Sequence, residues 1–165
     1  NVPIASFYAN LKVFEGYYEK KWFPYTMPIS DIYGLRQAFD NIKNDPYMLE
    51  RHAKIGNAVR AAVKEAGLEL YQETGFSNTV TVFNVPEGTT DAAILTAMKE
   101  KCNIMLAGSF GAFAGKVIRI GHMGENAYPE KVGAVMAGLD LVFKDLGITL
   151  KCSLKEAYDR KMSEQ

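Results

Sequence analysis

At 165 residues, with 48% hydrophobic and 23% charged residues, the chain has the makeup of one globular domain with a real core. Lys plus Arg equals Asp plus Glu at 19 each, so no net field argues for nucleic acid or an anionic membrane as partner. No apolar run reaches the ~18 residues of a membrane span. Cys102 and Cys152 are one distant pair rather than a disulfide framework, and two histidines offer no zinc spacing, so no metal is expected and a cytoplasmic setting fits.

In chain order, the opening Asn1-Val2-Pro3-Ile4-Ala5-Ser6-Phe7-Tyr8 is apolar and aromatic, with neither Met nor a polar lead-in. It predicts a buried strand over 2–8 and suggests a fragment of a longer protein. Leu11 to Trp22 predicts a helix or an irregular connector. Its aromatics pack either on the chain's own helices or on something outside it. Tyr25-Thr26-Met27-Pro28 is a helix-start signal, and Ile29, Ile32, Tyr33, Leu35 and Phe39 follow at helical spacing. The Thr26 hydroxyl caps that helix, or joins its free N–H groups in holding a phosphate. Asn44-Asp45-Pro46 resets the chain into a second helix through Glu65, with Leu49, Ile55, Val59, Ala62, Val63 and Ala66 as its buried stripe. His52, near that stripe's edge, reads as structural rather than as a ligand.

Leu68–Tyr71 and Asn78–Asn84 predict strands, Thr90 caps a helix carrying Ile94, Leu95, Met98 and Cys102, and Ile104–Ala107 predicts another strand. A glycine-rich loop, Gly108 to Gly115, then runs into Val117-Ile118-Arg119-Ile120-Gly121. Alternation puts Arg119 on one face with Val117 and Gly121, while Ile118 and Ile120 point the other way. Arg119 either lies on the solvent side of an edge strand or presents its donor fork to a carboxylate ligand. His122, on the opposite face, reads as packing. Pro129 opens a last long helix with Val132, Val135, Met136, Leu139, Val142 and Phe143 on one side, and the charged tail from Cys152 predicts one more short helix. The strand, strand, helix, strand, strand, helix order from Leu68 onward predicts an α+β fold: a small, mainly antiparallel sheet with helices packed on one face, preceded by bridging helices.

Three stretches together resemble the class V aminotransferases, the alanine–glyoxylate and serine–pyruvate type. They are Gly115-Lys116-Val117-Ile118-Arg119-Ile120-Gly121-His122-Met123-Gly124, then Phe23-Pro24-Tyr25-Thr26-Met27-Pro28-Ile29-Ser30 with Ile32-Tyr33-Gly34-Leu35-Arg36-Gln37-Ala38, and Arg51-His52. The resemblance covers almost the whole chain and is to the C-terminal part of such enzymes. It implies the C-terminal domain of the fold type I transferases that use pyridoxal 5'-phosphate. Residues 1–24 would end the large cofactor domain, 25–67 would be bridging helices, and 68–165 would be the small domain.

The resemblance also implies a homodimer with the active site shared between subunits, acting on small amino and keto acids. Arg119 would bind the substrate α-carboxylate. Thr26, with Tyr25, would contact the phosphate of the neighbouring subunit's cofactor, while Phe23 stands where some relatives place a further phosphate-binding tyrosine. No catalytic residue is expected in this chain, because the family's Schiff-base lysine precedes the region that begins at Asn1. Cysteine desulfurases share the fold but need a thiolate on the loop before the equivalent strand, and 108–114 holds no cysteine. Two alternatives are a non-catalytic α+β domain that binds a carboxylate or a partner, and one half of a split enzyme.

Overall fold

A computed structural model describes residues 4–164 of the chain. It divides into two compact units, Asn1–Pro46 and Tyr47–Gln165.

The first unit is aromatic and open. Its Asn10 side chain accepts the Lys12 N–H at 3.1 Å and starts a single helical turn, Leu11–Phe14. Tyr25 is the hub of a ring cluster, stacked on Tyr8 at 5.3 Å and edge-on to Phe7 and Phe14, both at 5.7 Å. Helix α1 (Ile29–Lys43) follows Pro28, whose ring presets φ for a helix start. No residue of α1 is buried, and its apolar row of Ile29, Ile32, Tyr33, Leu35 and Phe39 is exposed throughout. The strand expected over 2–8 is corrected here. Residues 2 and 3 lie outside the described residues, and from Ile4 to Tyr8 the chain is exposed with no strand partner.

The second unit carries the core. It contains α2 (Met48–Glu65), β1 (Val80–Asn84), α3 (Asp91–Cys102), β2 (Val117–Gly121), α4 (Pro129–Asp145) and α5 (Leu154–Ser163). Strands β1 and β2 pair antiparallel, with Val80 opposite Gly121 and Asn84 opposite Val117. Single antiparallel bridges, Leu70 to Phe83 and Ala107 to Arg119, extend the sheet by one chain on each side. The alternation makes one face apolar: Phe83, Ile118 and Ile120 are fully buried, and with Ile55, Val59, Leu139 and Phe143 they form the core beneath the helices. Val80, Arg119 and Gly121 lie on the other, more open face. The architecture is the expected α+β layer.

Helix ends are secured by specific side chains. Thr90 accepts the Ala93 N–H at 3.2 Å and starts α3, as expected. The start of α5 is held from a distance: the Asp140 carboxylate, on α4, accepts the Leu154 N–H at 2.7 Å, the Lys155 N–H at 3.0 Å and the Ser153 hydroxyl at 2.6 Å. A carboxylate at a helix N-terminus satisfies orphan amides and complements the helix dipole. Arg60 is buried, with its Nη1 donating to the Ser77 carbonyl at 2.8 Å and its Nη2 to Asn57 Oδ1 at 2.6 Å, and the guanidinium stands over Phe76. It ties the loop before β1 to α2.

Both histidines are structural. The Met48 carbonyl can only accept and the Gly124 N–H can only donate, so His52 carries its proton on Nδ1 (2.7 Å to Met48) and accepts on Nε2 (3.1 Å from Gly124). His122 is fully buried, donating from Nδ1 to the Asn78 carbonyl at 3.0 Å and pairing through Nε2 with the Thr81 hydroxyl at 2.9 Å. Burial pushes its pKa below the ordinary 6.5, and the nearby Arg60 cation adds to that. The unfolded chain therefore binds this proton at a higher pH than the folded one does. Stability is complete above 6.5 and is lost as pH falls from there toward the lower folded value. Unfolding midpoints taken between about pH 7.5 and about pH 5.5 should decline, and His122→Asn should flatten that slope. An unchanged slope in the variant would assign the decline to other groups.

Candidate functional site

The site builds around the centre of β2. The Arg119 backbone N–H donates to the Ala107 carbonyl at 2.7 Å on one side, while Val82 of β1 lies opposite on the other. At Arg119 the backbone is thus bridged on both flanks, on the Ala107 side by a single isolated bridge, so the residue does not stand on an open strand edge. Its side chain is half-buried and rises on the open face.

One contact aims that side chain. Arg119 Nε donates to the Gly108 carbonyl at 2.6 Å. Among the described residues its two Nη groups have no hydrogen-bond or ion-pair partner. A guanidinium anchored by Nε and open at both Nη atoms is arranged to grip a planar carboxylate with two parallel bonds. Gly108 owes its place to close packing, since a Cβ there would stand 3.3 Å from the Asp91 carboxylate and 3.4 Å from Leu95 on α3. The start of α3 thus seats the glycine-rich loop, and the loop carbonyl seats Arg119.

A cleft of about 730 Å³ opens beside this group, lined by Arg119, Gly121, Ala107, Val80, Met123 and Lys131, among others. Its walls are mainly apolar with a few polar groups, the usual pattern for a small organic ligand. Lys131 is turned away, donating to the Glu125 carbonyl and lying over the Tyr128 ring at 5.3 Å. Arg119 is therefore the cation left to an incoming anion on this wall. On the glycine-rich loop itself, Phe113 meets Tyr71 edge-on at 5.3 Å and Phe110 is 80% exposed.

Tyr25 and Thr26 belong to the first unit and Arg119 to the second. Thr26 is exposed, and its hydroxyl does not cap α1: the cap position is Pro28, which has no side-chain cap bond. The Ile29 N–H donates to the Met27 carbonyl at 2.9 Å, and the α1 cap position supplies no side-chain acceptor, leaving a helix N-terminus of the kind that can take a phosphate. Asp31, in the same turn, opposes an anion there. The Tyr25 hydroxyl already donates to the Phe7 carbonyl at 3.0 Å. Sequence reasoning missed the Gly108 carbonyl and the role of Asp91 beneath the loop. The glycine spacing was the available signal, but no pattern marks which carbonyl meets Arg119.

No metal-binding group of three or more His, Cys, Asp or Glu side chains occurs among the described residues, and no described helix is long and apolar enough to cross a membrane. No family model matches the chain. It is 37% identical to an uncharacterized aminotransferase of Methanocaldococcus jannaschii, over 89% of this chain and 39% of that protein. It is 36% identical to a serine–glyoxylate aminotransferase of Arabidopsis thaliana, over 76% of this chain and 32% of that one. Its backbone matches the crystal structure of the ureidoglycine–glyoxylate aminotransferase of Bacillus subtilis with a TM-score of 0.89 at 28% identity, covering all of this chain and 44% of the other. The chain is thus a homologue of the class V aminotransferases, spanning between 32% and 44% of the length of these relatives.

Proposed function

We propose that the chain is the C-terminal portion of an aminotransferase that uses pyridoxal 5'-phosphate and moves an amino group between small amino acids and keto acids. The observation that carries this reading is Arg119, anchored at Nε by the Gly108 carbonyl and open at both Nη groups beside the cleft. The cofactor, when bound, supplies the electron sink on which an amino group is exchanged. This chain's part is recognition. The Arg119 fork holds the substrate α-carboxylate, the apolar wall excludes water around it, and the fixed carboxylate sets where the substrate amino or keto carbon lies.

In this reading the phosphate is held by Thr26 and the uncapped first turn of α1, on the cofactor of the neighbouring subunit in a homodimer. Tyr25 joins only after its hydroxyl releases the Phe7 carbonyl. The exposed apolar row of α1 supports an assembly, because such rows are covered in working proteins. The lysine that links to the cofactor lies outside this chain, in a cytoplasmic enzyme.

The test uses the whole protein that carries the chain, assayed for amino transfer from serine or alanine to glyoxylate or pyruvate, with a visible absorbance spectrum for the cofactor. Turnover with a cofactor band is the expected result. A colourless, inactive protein that still binds small carboxylates would overturn it in favour of a carboxylate-binding domain.

A further inference from the structure

The glycines of the second unit differ in what holds them to glycine. A Cβ at Gly138 would meet the Met98 side chain at 3.0 Å, one at Gly56 would meet Arg60 at 3.1 Å, and Gly108 is crowded by Asp91. Gly121 has no such reason. A Cβ built there meets no atom within 4 Å, and its φ lies outside the left-handed region. It sits in the last position of β2, paired with Val80, where a glycine costs backbone entropy and leaves nothing to pack. The chain keeps a bare position that its own fold does not require.

Gly121 follows Arg119 by two residues on the same strand face, so the two Cα atoms lie about 6.6 Å apart. Both line the cleft, and the cross-strand neighbour of Gly121, Val80, lines it as well. A carboxylate gripped by the Arg119 fork places its adjoining carbon, and whatever that carbon carries, within a few bonds of the guanidinium. The space a side chain at 121 would fill is beside that carbon.

We propose that Gly121 is a specificity-determining residue: by leaving out a side chain beside Arg119, it makes room for the substituent on the carbon next to the bound carboxylate. This rests on the reading of Arg119 as the carboxylate anchor. It extends that reading to substrate class, since the site takes 2-substituted acids larger than glyoxylate, and the tolerated size is set at residue 121. A methyl or isopropyl group there overfills the space in proportion to the ligand's own bulk.

The test measures dissociation constants by calorimetry on the whole protein, with glycolate, lactate and 2-hydroxybutanoate as probes. These carry the carboxylate and a growing substituent but no transferable group. Wild type should bind the three within a few-fold of one another. Gly121→Ala and Gly121→Val should hold glycolate within about two-fold, while 2-hydroxybutanoate weakens by about ten-fold or more in the valine variant, with alanine between. Melting temperatures should hold or rise, because the added carbon meets nothing in the fold. Equal weakening of all three ligands, or none, would overturn the proposal. Arg119→Lys separates the two readings, since it should weaken all three ligands together. If it leaves glycolate binding untouched, the carboxylate anchor itself is refuted, and the role of Gly121 with it.

Discussion

Arg119→Lys in the whole protein should lower kcat/KM for amino transfer by about 10²- to 10³-fold, although the charge is kept. The arginine does two jobs at once: Nε is held by the Gly108 carbonyl at 2.6 Å, and the two Nη groups face the cleft. A lysine ammonium is a single point with no fork. It can sit near the carboxylate or near the Gly108 carbonyl, and it cannot fix the orientation of a planar group. Charge-assisted hydrogen bonds contribute roughly 1.5–3 kcal/mol each, so losing one bond and the alignment of the other matches two to three powers of ten in rate. The loss should appear mainly in KM, with a smaller fall in kcat from a misplaced reacting carbon. Arg119→Ala should lose more and be partly restored by added guanidinium, which refills the vacated place. A lysine variant with unchanged kcat/KM would remove Arg119 from substrate binding.

Much of the second unit was legible because its signals are local. Alternating Val117, Ile118, Arg119 and Ile120 specified a strand and its faces, and the structure buries Ile118 and Ile120 fully while leaving Arg119 half-open. The Thr90 cap and the α4 stripe from Val132 to Phe143 needed only helical spacing. Leu49 shows the limit of that method. It fits the stripe of α2 but is 76% exposed, because it lies in the first turn, beyond the core that covers Ile55 and Val59.

What stayed illegible depends on contacts distant in sequence. Asp140 reaches α5 across fourteen residues at Leu154, and Arg60 reaches Ser77 across seventeen. Neither pair lies within one helix or strand, so no periodic pattern marks it. The same holds at the site. The strand and its arginine were read from spacing, but the Gly108 carbonyl beneath Arg119 is placed only once the loop has folded back on Asp91. At Thr26 the hydroxyl-then-proline pattern pointed to a cap, yet α1 begins at Ile29, too far along for Thr26 to serve it.

The largest stability effect should follow Phe83→Ala. Phe83 is fully buried in the middle of the sheet, opposite Ile118 on β2 and bridged to Leu70 on its other side. Its ring meets Phe143 of α4 edge-on at 6.4 Å, so one side chain joins the sheet to the helix layer. Truncating a buried phenylalanine costs about 3–5 kcal/mol, from lost transfer energy and the cavity left behind. Against the roughly 5–15 kcal/mol that holds a domain folded, that is enough to leave the second unit marginal. Far-UV circular dichroism in denaturant is the suitable measurement, since Trp22, the single tryptophan, lies in the first unit and does not report on this core. Phe110→Ala provides the contrast. Its ring, on the glycine-rich loop, is 80% exposed, so its removal should shift stability by no more than about 0.5 kcal/mol. Equal losses in the two variants would mean that the sheet and α4 do not share the core that joins them here.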